Sequence, residues 1–264
     1  MKYGVWFVSL VLAVWSCLGA PSASPARAET PDSSPYLRSL GQRIQHGLDS
    51  LDAILTQAAR EIGGLGIRNP RVNDLLRLVL VGQPFTISCS VISAGGFMVA
   101  VEPAEFSRLG DYNLRAGQDR PQMQAASSPL LTRRFFTAEG GWAVAMTQPI
   151  KNAQGDFLGW LSLLLDPAEM MRVILAQAPP SGGQAVWLVQ GDGVLLYHDQ
   201  AMEIGRNLLN DPAYVGRPGM AALGRRLQAE AEGELTTDNG AGLLDQTGAR
   251  IHWISLGLHG AAWR

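Results

Sequence analysis

Two glycine-rich turns in this chain carry the same punctuation, and that repetition narrows the folds open to it more than any other feature. In the first, the β-branched and apolar run Phe85 to Ile92 reaches Ala94-Gly95-Gly96, and Phe97 to Val101 returns. In the second, Ala185 to Gln190 reaches Gly191-Asp192-Gly193, and Val194 to Tyr197 returns. Short apolar runs on either side of small turn residues predict antiparallel strand pairs. Beyond each pair a glycine is followed closely by Asn-Leu. The segments are Gly110-Asp111-Tyr112-Asn113-Leu114 and Gly205-Arg206-Asn207-Leu208, 14 and 12 residues past the hairpin glycine. The repetition predicts a duplicated α/β unit, and two copies are too few for a solenoid.

The other elements fall around these hairpins. From Tyr36 to Ile62, Leu37, Leu40, Ile44, Leu48, Leu51, Leu55, Ala58 and Ile62 recur at three- and four-residue steps, the stripe of one long helix. The pair Gly63-Gly64 is expected to stop it. A second helix is signalled by Asn69 as N-cap and Pro70 at the first helical position, with Val72, Leu75, Leu76 and Val79 on one side. Gly141 to Ile150 and Phe157 to Leu165 flank the polar turn 151–156 as a further hairpin, and Asp166-Pro167 opens a helix that ends before Pro179-Pro180. A short helix from Met220 to Ala231 and strands Ile251 to Leu258 and Ala261 to Arg264 close the chain. The expected fold class is α+β: N-terminal helices over 36–84, then antiparallel-sheet modules over 85–178 and 179–264.

The first 28 residues differ from the rest. Lys2 precedes an uncharged apolar stretch from Tyr3 to Leu18, then small residues and prolines ending Ala26-Arg27-Ala28. That is the layout of a secretory signal, and the stretch is shorter than the ~20 residues of a spanning helix. Cleavage after Ala28 is expected, with 29–35 as a linker and a periplasmic destination. Two alternatives stay open: a lipoprotein lipidated at Cys17, and an uncleaved membrane anchor. After cleavage Cys89 is the one cysteine left, which rules out an intramolecular disulfide. Flanked by Ile87 and Val91, it reads as a small buried hydrophobe. Apolar residues at 47% and charged residues at 17% indicate a globular chain, and a net charge of −2 without a basic run excludes a nucleic-acid partner.

This arrangement resembles the double Cache, PAS-like extracytoplasmic sensor domains. The resemblance rests on the segments 187–197, 203–208 and 211–214, on Leu223-Gly224-Arg225-Arg226-Leu227, on Ser128-Pro129-Leu130-Leu131, and on the strand pair ending Gln148-Pro149-Ile150 and Gly159 to Asp166. It covers about residues 36 to 264. The resemblance implies a ligand held in the first, membrane-distal module, between its sheet and the loops and helices covering one face. The second module would be the membrane-proximal one. Family members that bind amino acids carry a Tyr, Arg and Trp-Tyr cluster before the central strands. Here Arg115 to Gln124 has arginines and no Trp-Tyr pair, so the resemblance stops short of an amino-acid ligand.

No catalytic machinery is legible. His46, His198, His252 and His259 have no metal spacing, no Gly-x-Ser-x-Gly elbow occurs, and Gly191-x-Gly193 joins two strands rather than a strand and a helix. No cofactor, metal or catalytic residue is expected. Ligand-binding candidates are Arg133 and Arg134 before Phe135-Phe136, Trp142, Gln148 on the same face by alternation, and Tyr112 and Arg120 as lid residues. An arginine in a partly closed pocket pairs with a carboxylate in bidentate fashion, which points to a small anion, whereas an arginine at an exposed strand end points to water. The expected function is an exported sensor acting through a separate membrane signalling or transport protein. A docking protein of the same fold without a metabolite, and an enzyme with an unrecognised site, are the rival readings. The long helix packs along its own domain or forms the seam of a homodimer.

Overall fold

A computed structural model describes residues 34–114, 128–181, 184–214, 216–236 and 250–264. The signal segment 1–28, most of the linker 29–35 and the candidate lid residue Arg120 lie outside the described residues. The chain divides into two units. The first comprises His46–Val173 with Gly257–Ala261, and the second the residues up to Gln45, Ile174–Leu256 and Ala262–Arg264.

Helix α1 (Ser34–Leu65) buries all eight positions of the predicted stripe. The glycine pair does not end it. α1 runs through Gly63 and Gly64 and stops at Gly66, whose φ of +87° is the left-handed conformation that closes helices. Gly63 serves another purpose. A Cβ there would sit 2.0 Å from the Lys151 carbonyl oxygen, so only glycine lets α1 lie this close to the neighbouring strand. Helix α2 (Val72–Leu80) starts later than predicted. Asn69 Oδ1 accepts from the Arg71 N–H and caps a turn that precedes the helix. Val72, Leu76 and Val79 are its buried residues. Among the described residues no helix is long and apolar enough to cross a membrane.

The first unit is built on one antiparallel sheet: β1 (Thr86–Ser93), β2 (Met98–Glu102), β3 (Leu130–Leu131), β4 (Phe135–Phe136), β5 (Trp142–Lys151) and β6 (Phe157–Leu165). Its order is β2-β1-β6-β5-β3, with β4 paired to the start of β5. Alternation gives the sheet two faces. Cys89, Val91, Val144, Met146, Ile150, Leu161, Leu163 and Leu165 share one face, and all are buried. Ile150 lies against Gly63 of α1, and Glu102 of β2 pairs with Arg77 of α2 at 2.9 Å, so this is the helix-covered face. Helix α3 (Pro167–Gln177) follows β6. Asp166 Oδ1 accepts from the Ala168 and Glu169 N–H groups, the cap that Asp166-Pro167 predicts.

The second unit holds β7 (Leu188–Val189), β8 (Leu195–Tyr197), α4 (Pro218–Ala229), β9 (Glu232–Thr236) and β10 (Arg250–Ile254). Its strands form two separate pairs, β7-β8 and β9-β10. The predicted strand at 261–264 is reduced to bridges from Trp263 to Gln190 and Leu256, with a reciprocal pair of backbone bonds between Val189 and Arg264. Trp187, Trp253 and Trp263 are fully buried.

The duplication is visible bond for bond. Asp111 N–H donates to Met98 O, Met98 N–H to Tyr112 O, and Leu114 N–H to Gly96 O. In the second unit Gly205 N–H donates to Leu195 O, Leu195 N–H to Arg206 O, and Leu208 N–H to Gly193 O. Each Asn bridges back to its hairpin strand, Asn113 to Phe97 and Asn207 to Val194. The corresponding residues Asp111 and Gly205 both take positive φ, +62° and +94°.

Candidate ligand-binding site

The face of the sheet turned away from α1 has a different chemistry. Thr147 pairs with Ser162, and Ser162 with Ser90, so three hydroxyl side chains stand in one row across β5, β6 and β1. Leu130 and Val101 continue the row at its two ends. Ser88, two residues from Ser90, adds a fourth hydroxyl on this face. All four residues are at most 4% exposed. Burying a hydroxyl without a partner costs about 1–3 kcal/mol, so a row of them at the centre of a sheet calls for a polar counterpart. Ser88 Oγ has one, donating to Glu139 Oε1 at 2.6 Å, and Thr147 Oγ1 lies 3.5 Å from the Leu130 carbonyl oxygen.

Apolar groups frame the row. Met98, Val101 and Leu109 pack with Phe106 and Ala138 on one side, and Ala143, Ala145 and Leu164 with Ile87 and Phe135 on the other. Glu139 comes from the β4–β5 loop, which the Thr137 N–H closes onto the Gly141 carbonyl and in which Gly140 has φ +98°. Thr137 in the same loop buries its hydroxyl with no partner among the described residues. Hydroxyls that both donate and accept, one carboxylate and an apolar frame can bind and orient a small polar molecule. Cys89 faces the helices, and burial pushes its thiol far above the ordinary range.

The residues singled out from sequence are distributed over several places. Arg133 is exposed. The Arg134 guanidinium lies 4.5 Å over the Trp142 ring, and partial burial lowers its pKa against the opposing influence of Asp166. Trp142 meets Phe136 edge to face at 5.6 Å, and both rings are more than half exposed. Gln148 is buried on the helix-covered side, where its Nε2 donates to Asp52 Oδ1 of α1 at 2.7 Å. Tyr112 is exposed in the segment that returns to the first hairpin. The structure therefore brings Arg134 and Trp142 together and leaves Gln148 and Tyr112 apart from them. Ser88, Ser90, Thr147, Ser162 and Glu139 escaped the sequence reading. The signal for Ser88 and Ser90 was present as hydroxyls at every second position of β1, and Ser162 stands as a lone hydroxyl in the otherwise apolar β6.

Comparison with known proteins agrees with this architecture. Residues 46–167 match the family described as "HK/GC/Chemotaxis protein-like, sensor domain", a range that contains the whole hydroxyl-bearing sheet. No curated protein matches the sequence. Among solved structures, an extracellular ligand binding receptor from Desulfohalobium retbaense superposes with a TM-score of 0.74 at 22% identity over 89% of this chain. The chain spans 40% of that receptor's length. The ligand-binding domain of the Pseudomonas fluorescens chemoreceptor CtaA, in complex with L-alanine, gives a TM-score of 0.59 at 19% identity, covering 88% of this chain and 94% of that one. A structure described as "Methyl-accepting Chemotaxis protein X" gives 0.62 at 13% identity, covering 88% and 93%. The resemblance drawn from the hairpins stands as a likeness of fold: this chain has the Cache-like α+β fold of these ligand-binding domains, and its residues 46–167 match the sensor-domain family model.

Proposed function

We propose that this chain is an exported, periplasmic sensor protein that binds a small molecule in its first unit and signals through a separate membrane protein. The observation that carries the reading is the row Ser90, Ser162 and Thr147, buried across three adjacent strands beside Ser88 and Glu139. A sheet folded for stability alone would fill such positions with aliphatic groups. Hydroxyls together with a carboxylate favour a ligand that offers hydrogen-bond donors, such as an amine. The CtaA domain, a fold neighbour, has been solved with L-alanine, L-isoleucine and L-serine, which all carry an amino group. Amino acids therefore belong among the ligands to test, although the Trp-Tyr pair of the amino-acid binders is missing from 115–124.

A small anion at Arg133 and Arg134 is the second reading. It is favoured by the half-buried Arg134 guanidinium over Trp142, a cation held where water is partly excluded. A thermal-shift screen of residues 29–264 against amino acids, amines, carboxylates and purines separates the two. A ligand at 100 times its Kd adds about 2.7 kcal/mol to stability. The proposal expects a hit whose shift is lost in Ser90→Ala/Ser162→Ala and kept in Arg133→Ala/Arg134→Ala. The opposite pattern selects the anion reading. No shift with any compound overturns both and leaves the docking-protein reading.

A further inference from the structure

Thr147 and Gln148 are consecutive on β5 and so project to opposite faces of the sheet. Thr147 belongs to the hydroxyl row, and Gln148 passes through to α1, where its Nε2 donates to Asp52 Oδ1 at 2.7 Å. The same oxygen receives His259 Nε2, also at 2.7 Å. The carboxylate partner makes Nε2 the protonated nitrogen of that ring. His259 stands in a tight turn closed by the Ala261 N–H on the Leu258 carbonyl at 2.9 Å. It is one of two non-glycine residues with positive φ among those described, at +53°, and Gly260 follows at +81°. The turn thus holds a conformation that a side chain disfavours, and the ring at its tip is tied to α1. Gln148 is almost fully buried, while the side chains of Asp52 and His259 are 23% and 21% exposed.

We propose that Asp52 is the junction of a mechanical link that carries changes on the hydroxyl-bearing face of β5 to the 257–261 turn. Gln148 and His259 act in it as positioning residues. Three elements distant in sequence meet at one carboxylate oxygen: β5, α1 and the turn. A displacement of β5 at Thr147 moves the Gln148 amide with it, and Asp52 must follow Gln148 or keep His259. The link deepens the sensor reading by giving its site an internal output. It rests on that reading only for what sets it in motion.

Amide hydrogen exchange on the full chain tests the link without any ligand. Gln148→Met is expected to raise exchange over 257–261 about tenfold, as the loss of a charge-assisted bond to a locally opening segment should. Asp52→Asn should do the same, and Gln148→Met/His259→Gln should exceed His259→Gln alone by nothing. Thr147→Val, which replaces the hydroxyl by a methyl of similar size, should change exchange in the turn at least about twofold in the wild-type background and leave it unchanged beside Gln148→Met. Asp52→Asn gives the same background if Gln148→Met does not fold. The proposal is overturned if His259→Gln loosens the turn while Gln148→Met does not. It is equally overturned if Thr147→Val moves the turn with or without Gln148. Calorimetric titration with L-serine and ethanolamine reads the ligand proposal separately. A silent titration with the Gln148 effect intact supports the link and counts against those ligands, whereas binding with an unresponsive turn overturns the link.

Discussion

The hairpin at Gly96 and the hairpin at Gly193 are held by the same three backbone hydrogen bonds to a returning segment, yet the two units fill their interiors differently. In the first, the strands extend into a six-stranded sheet whose loop-covered face is floored by serines, a threonine and alanines. In the second, the strands stay in pairs, and Trp187, Trp253 and Trp263 occupy the interior. Those three indoles leave their N–H groups without partners among the described residues, a polar cost accepted for volume. The same hairpin scaffold thus carries small hydroxyl side chains on a sheet face in one unit and an indole-filled core in the other.

The largest expected effect lies in the second unit. Trp253→Ala should cost about 3–5 kcal/mol in a denaturant titration, because a fully buried ring is removed from beside Gly233 and Arg226. A cost below about 1 kcal/mol would show that the indoles are not what fills this unit. Next comes Gly63→Ala in α1. Alanine normally favours a helix, but here the added methyl meets the Lys151 carbonyl, and a net loss of about 1–3 kcal/mol is expected. The repeat itself can be broken at its matching left-handed positions. Gly205→Ala should destabilise by about 1–2 kcal/mol, while Asp111→Gly should be neutral or slightly stabilising, both read from thermal unfolding. Equal effects of the two would mean that the shared hydrogen-bond pattern does not carry a shared backbone demand. The smallest change belongs to the hydroxyl row: Ser162→Ala should alter stability by no more than about 1 kcal/mol, in contrast to its effect on ligand binding.

Much of this contrast was legible in the amino-acid order. The α1 stripe, the β1–β2 and β5–β6 hairpins and the cap at Asp166 follow from local periodicity and turn chemistry, and each stands where that chemistry puts it. The misreadings have two causes, contacts between residues far apart in the chain and segments without an apolar pattern. Gly63-Gly64 looks like a stop signal until β5 is seen against it, and β9 is hidden because Glu232-Gly233-Glu234 lacks an apolar run. The site was half legible. Serines at every second position of β1 were in view, but the bond from Ser88 to Glu139 spans 51 residues and no local pattern announces it. Arg133, Arg134 and Trp142 stood out because large polar and aromatic side chains are conspicuous, while hydroxyls are common enough to pass as background.

The place where a ligand binds is the decisive property of this molecule. The most direct measurement is amide exchange across the whole chain, with and without a compound that raises its melting temperature. The prediction is slower exchange in Thr86–Ser93, Trp142–Lys151 and Phe157–Leu165, with Leu188–Val189, Leu195–Tyr197 and Arg250–Ile254 unchanged. Protection confined to the second unit's strands would contradict it.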